Sequence, residues 1–133
     1  MIPVVLIAAE REAKPVSELL ATLEREHGET DVILSVMTVM ELEHGLHRAT
    51  SEEQSRRRRE YLDTIFAAIP VVPFTREMAQ LAAKIDAEAR KIGVTIPLAD
   101  LLVGVTALQI GYAIGTRKRR HFDMLPNLTG LLV

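Results

Sequence analysis

The chain contains the run Val32-Ile33-Leu34-Ser35-Val36-Met37-Thr38-Val39-Met40-Glu41-Leu42-Glu43-His44-Gly45. Its first three residues form a continuous apolar segment, which is typical of a buried parallel strand. Ser35 or Thr38 can cap the helix that follows. Glu41 lies about two turns into that helix, so the run predicts a strand that leads directly into a helix bearing a carboxylate.

Apolar strands and helices alternate along the rest of the chain. Short apolar runs predict strands at 2–5, 32–34, 71–72, 112–114 and 131–133. Capping residues, prolines, glycines and apolar periodicity predict helices at 15–28, 35–49, 51–70, 75–93 and 97–111, and residues 6–12 are expected to turn helical. This alternation predicts a single domain over residues 1–133 with a three-layer α/β fold, in which helices cover both faces of a small parallel sheet of four or five strands.

The composition excludes several classes of protein. With 133 residues, of which 48% are apolar and 26% charged, the chain has the composition of a folded domain rather than a disordered segment. The absence of cysteine excludes a disulfide framework and a thiolate metal site. No apolar run approaches the ~18 residues that span a bilayer, and no secretory signal is found, so we expect a cytoplasmic protein that does not associate with a membrane. Because the net charge is −2, any contact with nucleic acid must come from a local basic patch.

A second carboxylate stands at the start of another apolar helix. Asp100 follows Pro97 and lies between Leu98 and Leu101, so we expect it to be partly buried and to need a partner. Glu41 and Asp100 could meet at the edge of the sheet where the carboxyl ends of the parallel strands gather. Carboxylates are the ligands that Mg²⁺ prefers, and such a cation neutralises a phosphodiester and activates water. Alternatively, Glu41 is a solvated surface residue and Asp100 only complements its helix dipole.

Two basic runs differ in their expected surroundings. Arg117-Lys118-Arg119-Arg120 follows a predicted strand near the proposed site, where it could contact RNA phosphates, and His121 could contact RNA beside it. Residues 56–59 are four arginines on a predicted helix, around which they point in most directions. That distribution favours a solvated helix start over a phosphate site, although Arg56 and Arg59 share a face.

Other residue types have simpler interpretations. His44 and His47 are three residues apart on one predicted helix, but no third zinc ligand with suitable spacing is evident, so we expect an ordinary histidine pair. The methionines are interpreted as core residues, the alternative being that some line a groove for a partner helix. The methionines in question are Met37, Met40, Met78 and Met124.

Four blocks of the sequence, taken in order, resemble the PIN-domain ribonucleases and, among them, the VapC-type toxins of bacterial toxin–antitoxin pairs. The first is Leu6-Ile7-Ala8-Ala9-Glu10-Arg11, which looks like the segment after the family's first catalytic Asp. Residues 35–42, with Gly45, are similar to the second block, whose acid falls on Glu41. Residues 96–102 are similar to the third, whose acid falls on Asp100. The last block is Gly115-Thr116-Arg117-Lys118-Arg119-Arg120-His121-Phe122.

The resemblance implies a function and partners. It implies an endoribonuclease that depends on Mg²⁺ or Mn²⁺, cuts structured RNA, commonly forms a homodimer and is held inactive by a cognate VapB-type antitoxin. Carried onto this sequence, Glu41 and Asp100 would hold the metal and Thr116 would orient a ligand. The basic segment 117–120 and His121 would hold RNA.

The sequence departs from the family pattern at the first strand. The family places an Asp at the end of this strand, whereas nothing from Met1 to Ala9 is acidic. Either an Asp-containing turn is deleted between Val5 and Leu6, or Ile2 occupies the Asp position. We favour the deletion, because residues 2–5 already form a plausible strand up to the point where the Asp would stand.

A second departure concerns Lys118, which stands where the family often carries Asn or Asp. An ammonium group cannot ligate magnesium. Even changes to groups that only support metal ligands cost ~10–100-fold in affinity or activity, so losing a ligand predicts an impaired nuclease. The alternatives are a non-catalytic PIN-like module that binds antitoxin or RNA, and an unrelated α/β protein whose acids are surface residues.

Overall fold

Strands and helices alternate along the chain as the sequence predicts. The structure is a computed structural model that describes residues 2–7, 16–116 and 122–132, with the backbone alone for Ile2, Val16, Leu131 and Leu132. The elements are β1 (Ile2–Leu6), α1 (Val16–His27), β2 (Thr30–Ser35), α2 (Val36–His47), α3 (Glu52–Ala68), β3 (Val71–Val72), α4 (Arg76–Lys91), α5 (Leu98–Ile110), β4 (Ala113–Thr116) and β5 (Gly130–Leu132).

The five strands of the described part of the chain form one parallel sheet in the order β3-β2-β1-β4-β5. The central strand β1 aligns Val4 with Val32 of β2, and Leu6 with Gly115 of β4. Chain order reverses between β1 and β4, and in open α/β sheets such a reversal leaves a crevice outside the carboxyl ends of the two strands. The predicted small parallel sheet is confirmed.

Alternate residues of the strands face two separate apolar layers. Val5 and its register partner Ile33 pack with side chains of α4 and α5. The next residues, Leu6 and Leu34, pack with side chains of α1, α2 and α3. Because successive side chains of a strand point to opposite faces, helices cover both faces of the sheet, and the predicted three-layer arrangement is confirmed.

The expected helical turn over residues 6–12 is wrong for Leu6 and Ile7. Leu6 is the last residue of β1 and is 1% exposed, and the Ile7 amide donates a hydrogen bond to the Gly115 carbonyl at 2.9 Å. The chain therefore stays extended through Ile7, because Leu6 gains buried apolar area and Ile7 gains a hydrogen bond to β4. Residues 8–12 lie outside the described residues.

The cap of α2 is Ser35 rather than Thr38. The Ser35 hydroxyl accepts hydrogen bonds from the amides of Met37, at 3.1 Å, and Thr38, at 3.3 Å. Both donors belong to the first turn of the helix, whose amides have no partner within the helix. Since Ser35 satisfies them, the Thr38 side chain is not used for capping.

Local capping chemistry also sets the starts of α3 and α4. The Gln54 amide donates to the Ser51 hydroxyl at 3.1 Å, which is the first of the two bonds of a capping box. In a capping box the second bond runs from the amide of the cap residue to the side chain three residues later. Here the Gln54 side chain accepts instead from the Thr50 amide, one residue before the cap, at 2.7 Å. Thr75 caps α4 by accepting from the Met78 amide at 3.2 Å. Of the helices described, none combines the length and apolar character needed to cross a bilayer.

The methionines divide between the core and the surface. Met78 is 2% exposed and belongs to the layer formed with α4 and α5, as predicted. Met37 packs against the same layer. The core interpretation is wrong for Met40 and Met124, which are 53% and 40% exposed. Met40 lies outside the buried stripe that α2 turns toward the interior.

Gly104 allows α5 to approach the segment around Leu125 closely. A Cβ atom at Gly104 would lie 2.5 Å from Leu125 Cδ2 and 3.4 Å from Leu128 Cδ2. Leu125 is itself 2% exposed, so its side chain has little room to move away. Because Gly104 has no side chain, the segment around Leu125 can pack directly against α5, the helix that carries Asp100.

A double-mutant cycle tests this close approach. Gly104→Ala should destabilise the protein by up to about 2 kcal/mol, because overpacking costs about 1–3 kcal/mol and the gain in helix propensity returns about 1 kcal/mol. Leu125→Ala alone should cost about 2–5 kcal/mol through the cavity that it leaves. Urea unfolding of the double variant should show a loss smaller than the sum, because the new methyl group occupies the vacated space. Strict additivity would contradict the account.

Candidate active site

The two predicted carboxylates lie at the same edge of the sheet. The helix α2 begins directly after β2, so its first turns stand at the carboxyl end of that strand, and Glu41 is its sixth residue. The helix α5 leads back into β4, so its first turn, with Asp100, stands at that edge too. The helices α2 and α5 also contact each other. Parallel topology thus brings together two acids that are far apart in sequence.

The pKa of Glu41 is affected by the charge of Asp100. Partial burial raises the pKa of Glu41 above its ordinary value of 4.5, and the negative charge of Asp100 raises it further. Although Glu41 is exposed, the neighbouring protein removes enough water from its carboxylate to penalise the charged form. Asp100 is half-buried, as the sequence predicts. A pair of like charges held in this way is relieved either by a proton or by a bound cation.

Hydroxyl groups accumulate at this end of the sheet. Ser35 and Thr116 are the last residues of β2 and β4, and Thr38 lies in the first turn of α2. All three are buried, with at most 2% of each residue exposed. The predicted ligand-orienting residue, Thr116, therefore stands beside the central strand, on the side of the sheet edge where the chain order reverses.

The end of the central strand contributes no carboxylate. Leu6 and Ile7 occupy this position, and Leu6 is fully buried in the layer formed with α1, α2 and α3. Within residues 2–7, 16–116 and 122–132, no group of three or more acidic or histidine side chains is arranged to hold a metal ion, and this includes His44 and His47. Two carboxylates nevertheless fit a magnesium ion that keeps several waters, because Mg²⁺ is usually bound by one or two carboxylates together with substrate phosphates.

The predicted RNA-binding residues fall on a part of the chain that the structure does not describe. Arg117, Lys118, Arg119, Arg120 and His121 lie outside the described residues. The residues on either side of them are described: Thr116 ends β4, and Phe122 is 3% exposed in the core. The chain thus enters this basic segment from the carboxyl edge of the sheet.

Two of the four arginines on α3, Arg58 and Arg59, make structural contacts that sequence reasoning missed. Arg59 makes two parallel hydrogen bonds to the Glu43 carboxylate, at 2.8 and 2.9 Å, and a third bond to Asp63 at 3.2 Å. Arg58 donates to the Gly45 carbonyl. Both arginines therefore attach α3 to α2, the helix that carries Glu41. Neither the spacing nor the composition of the run indicates Glu43 and Gly45 as partners, because both come from another helix.

Comparison with known proteins decides the family. The sequence profile of the PIN domain matches residues 4–124. The chain belongs to the PIN-domain family. The resemblance inferred from four short sequence blocks is thereby confirmed.

Individual relatives of this PIN domain agree with that assignment. It is 28% identical over 100 residues to ribonuclease VapC of Rickettsia bellii (strain RML369-C), an alignment that covers 75% of each chain. The crystal structure of FitAcB from Neisseria gonorrhoeae matches 98% of this chain and 96% of its own, with a TM-score of 0.79 and 25% identity. VapBC2 from Rickettsia felis, solved with a DNA fragment from its promoter, matches 100% and 99% with a TM-score of 0.80 and 17% identity. The relative named ribonuclease VapC and the VapBC2 structure agree with the VapC-type resemblance drawn from the sequence.

Replacing Glu41 should stabilise the metal-free PIN domain at neutral pH. Because the pKa of Glu41 is raised on folding, its charged form opposes folding above the folded-state pKa, and this penalty disappears below about 4.5. In thermal unfolding with EDTA, Glu41→Gln should therefore unfold up to about 5 °C above wild type at pH 7–8, and the difference should vanish near pH 4.

A matched control lies two residues away on the same helix. The hydrogen bonds from Arg59 lower the pKa of Glu43, so this carboxylate supports folding above its ordinary pKa and loses that support as the pH falls through its folded-state pKa. Glu43→Gln should therefore lower the melting temperature at pH 7–8. If the two variants shifted it in the same direction, the electrostatic description of α2 would be wrong.

Proposed function

We propose that this PIN domain is a VapC-type endoribonuclease toxin that binds Mg²⁺ or Mn²⁺ between Glu41 and Asp100. The observation that carries the proposal is that two separate helices bring these carboxylates to the edge of the sheet where the chain order reverses, near enough for the charge of Asp100 to contribute to the raised pKa of Glu41. Like charges are rarely held together in a protein unless a cation or a shared proton compensates them. The match to the PIN domain and to a protein named ribonuclease VapC makes RNA hydrolysis the reaction to test.

Each functional group has a defined task in this proposal. A bound divalent cation supplies charge for the scissile phosphate and acidifies an attacking water. Glu41 and Asp100 hold that cation through their oxygens, and Thr116 orients a ligand beside them. Arg117, Lys118, Arg119 and Arg120, with His121, bind the phosphates of a structured RNA.

We infer that the activity of this chain is reduced. Leu6 and Ile7, the described residues at the carboxyl end of β1, carry no carboxylate that could join the pair. Loss of a supporting group alone costs ~10–100-fold, and loss of a ligand should cost at least as much. The same observation favours a second candidate function, a non-catalytic PIN-like module that binds antitoxin or RNA without cutting.

The partner that fits the site is a VapB-type antitoxin. Met40, beside Glu41, is 53% exposed, and Leu98, two residues before Asp100, is 68% exposed. Apolar side chains on either side of acidic groups suit an amphipathic partner segment that covers the site. The VapBC complexes among the structural relatives contain toxin and antitoxin together. We further propose that residues 1–133 form a single domain, that the toxin is a homodimer and that it acts in the cytoplasm, where its RNA is found.

Cleavage of a structured RNA tests the reaction and its impairment together. In Mg²⁺ or Mn²⁺ we expect a rate at least about 10-fold below that of the Rickettsia bellii relative under the same conditions. Asp100→Asn should remove the remaining activity. That loss would show that the activity belongs to this site and not to a contaminant. A rate equal to the relative's, lost in Asp100→Asn, would contradict the impairment. A protein that cuts no RNA but still binds antitoxin or RNA would favour the non-catalytic PIN-like module.

A gain-of-function variant tests the reason for the impairment. Ile7 follows the last residue of β1, is half-buried, and packs against the layer of α4 and α5, to which the helix of Asp100 belongs. Ile7→Asp would place a third carboxylate at the end of the central strand. Isothermal titration should show Mn²⁺ binding tightened by about 10-fold or more, whereas the matched Ile7→Asn, which has the same shape and no charge, should gain much less. Equal affinities in the two variants would contradict the account.

A further inference from the structure

We propose that Thr38 is a positioning residue, whose hydroxyl donates a hydrogen bond to the Glu41 carboxylate when a divalent cation draws that carboxylate toward Asp100. This role rests on the proposed function of the pair. It concerns a residue that touches neither the cation nor the RNA, and that acts only through Glu41.

The first observation is a buried hydroxyl without a partner. Thr38 is 2% exposed, and among the buried side-chain nitrogen and oxygen atoms of the described residues, its Oγ1 is the one that makes no hydrogen bond. The hydroxyls of Ser35 and Thr106, which are also buried, are used: Ser35 accepts two bonds, and Thr106 donates to the Leu102 carbonyl at 2.8 Å. Leaving a buried polar group unsatisfied costs stability, so proteins rarely do so without a reason.

The second observation is the position of Thr38 relative to Glu41. The two residues are three apart on α2, and side chains at this spacing are neighbours on a helix. Within the described part of the chain, Glu41 accepts no hydrogen bond either. One turn of helix therefore carries a donor that lacks an acceptor and, beside it, an acceptor that lacks a donor.

A bound cation would allow the Thr38 hydroxyl to donate to the Glu41 carboxylate. Without one, the charge of Asp100 repels the Glu41 carboxylate. A cation reverses this force and draws Glu41 toward Asp100. Carboxylates that ligate metals are usually held by a further hydrogen bond, which fixes the direction of their lone pairs. Thr38 lies at the start of the buried stripe of α2, next to the sheet edge, and can supply that bond.

Removing the Thr38 hydroxyl should weaken metal binding without lowering the stability of the metal-free protein. Thr38→Val keeps the shape and removes the hydroxyl. The metal-free melting temperature should stay the same or rise, because an apolar group replaces an unsatisfied polar one. Mn²⁺ binding, measured by isothermal titration, should weaken by about 10-fold or more. Thr38→Ser keeps the hydroxyl and should retain most of the affinity.

Thr106→Val is the matched control, since Thr106 is equally buried and its hydroxyl already has a partner. It should lower the metal-free melting temperature and leave Mn²⁺ binding unchanged. The role of Thr38 would be overturned if Thr38→Val bound Mn²⁺ as wild type does, or if it lost melting temperature as Thr106→Val does. An Asp100→Asn variant that binds Mn²⁺ as well as wild type, or wild-type protein that does not bind it, would instead refute the proposed function and the role of Thr38 with it.

Discussion

The parallel order of the sheet, which places Glu41 and Asp100 at one edge, is the constraint on which the candidate site of this PIN domain depends. The charge of Asp100 opposes the ionised form of Glu41, so two acids on unanchored segments would tend to separate. The sheet prevents this: α2 is fixed to β2 through the Ser35 cap, and α5 is fixed by its buried packing against β1 and β4. On the outer side, the bonds from Arg58 and Arg59 hold α2 against α3. Fold stability is thus used to keep two like charges near each other.

Local sequence signals predicted most of the secondary structure. Ser51 and Thr75 start their helices through bonds to amides three residues away, and Gly111 ends α5 with a φ of 76°, a conformation that favours glycine. Such signals are readable because both partners lie within a few residues of each other. Asp100 could be recognised in the same way, since burying a carboxylate within an apolar helix costs free energy unless a partner compensates its charge.

The features that the sequence did not indicate depend on distant partners. Leu6 ends a strand, and Ile7 donates a hydrogen bond beyond it, because Gly115, more than a hundred residues later, lies beside them. Arg59 is held by Glu43 of another helix, and no local pattern distinguishes it from the exposed Arg56 and Arg57. The exposure of Met40 could not be predicted for a similar reason, since it depends on which face of α2 the sheet covers. Tertiary contacts decide these cases, and a linear pattern does not encode them.

The central claim is that Glu41 and Asp100 share one electrostatic environment, and a carboxyl titration followed by NMR measures this most directly. In metal-free protein, the pKa of Glu41 should lie above its ordinary value, and Asp100→Asn should lower it by removing the neighbouring charge, while the part caused by burial remains. An unchanged pKa of Glu41 in Asp100→Asn would show that the two carboxylates do not interact and would contradict the account.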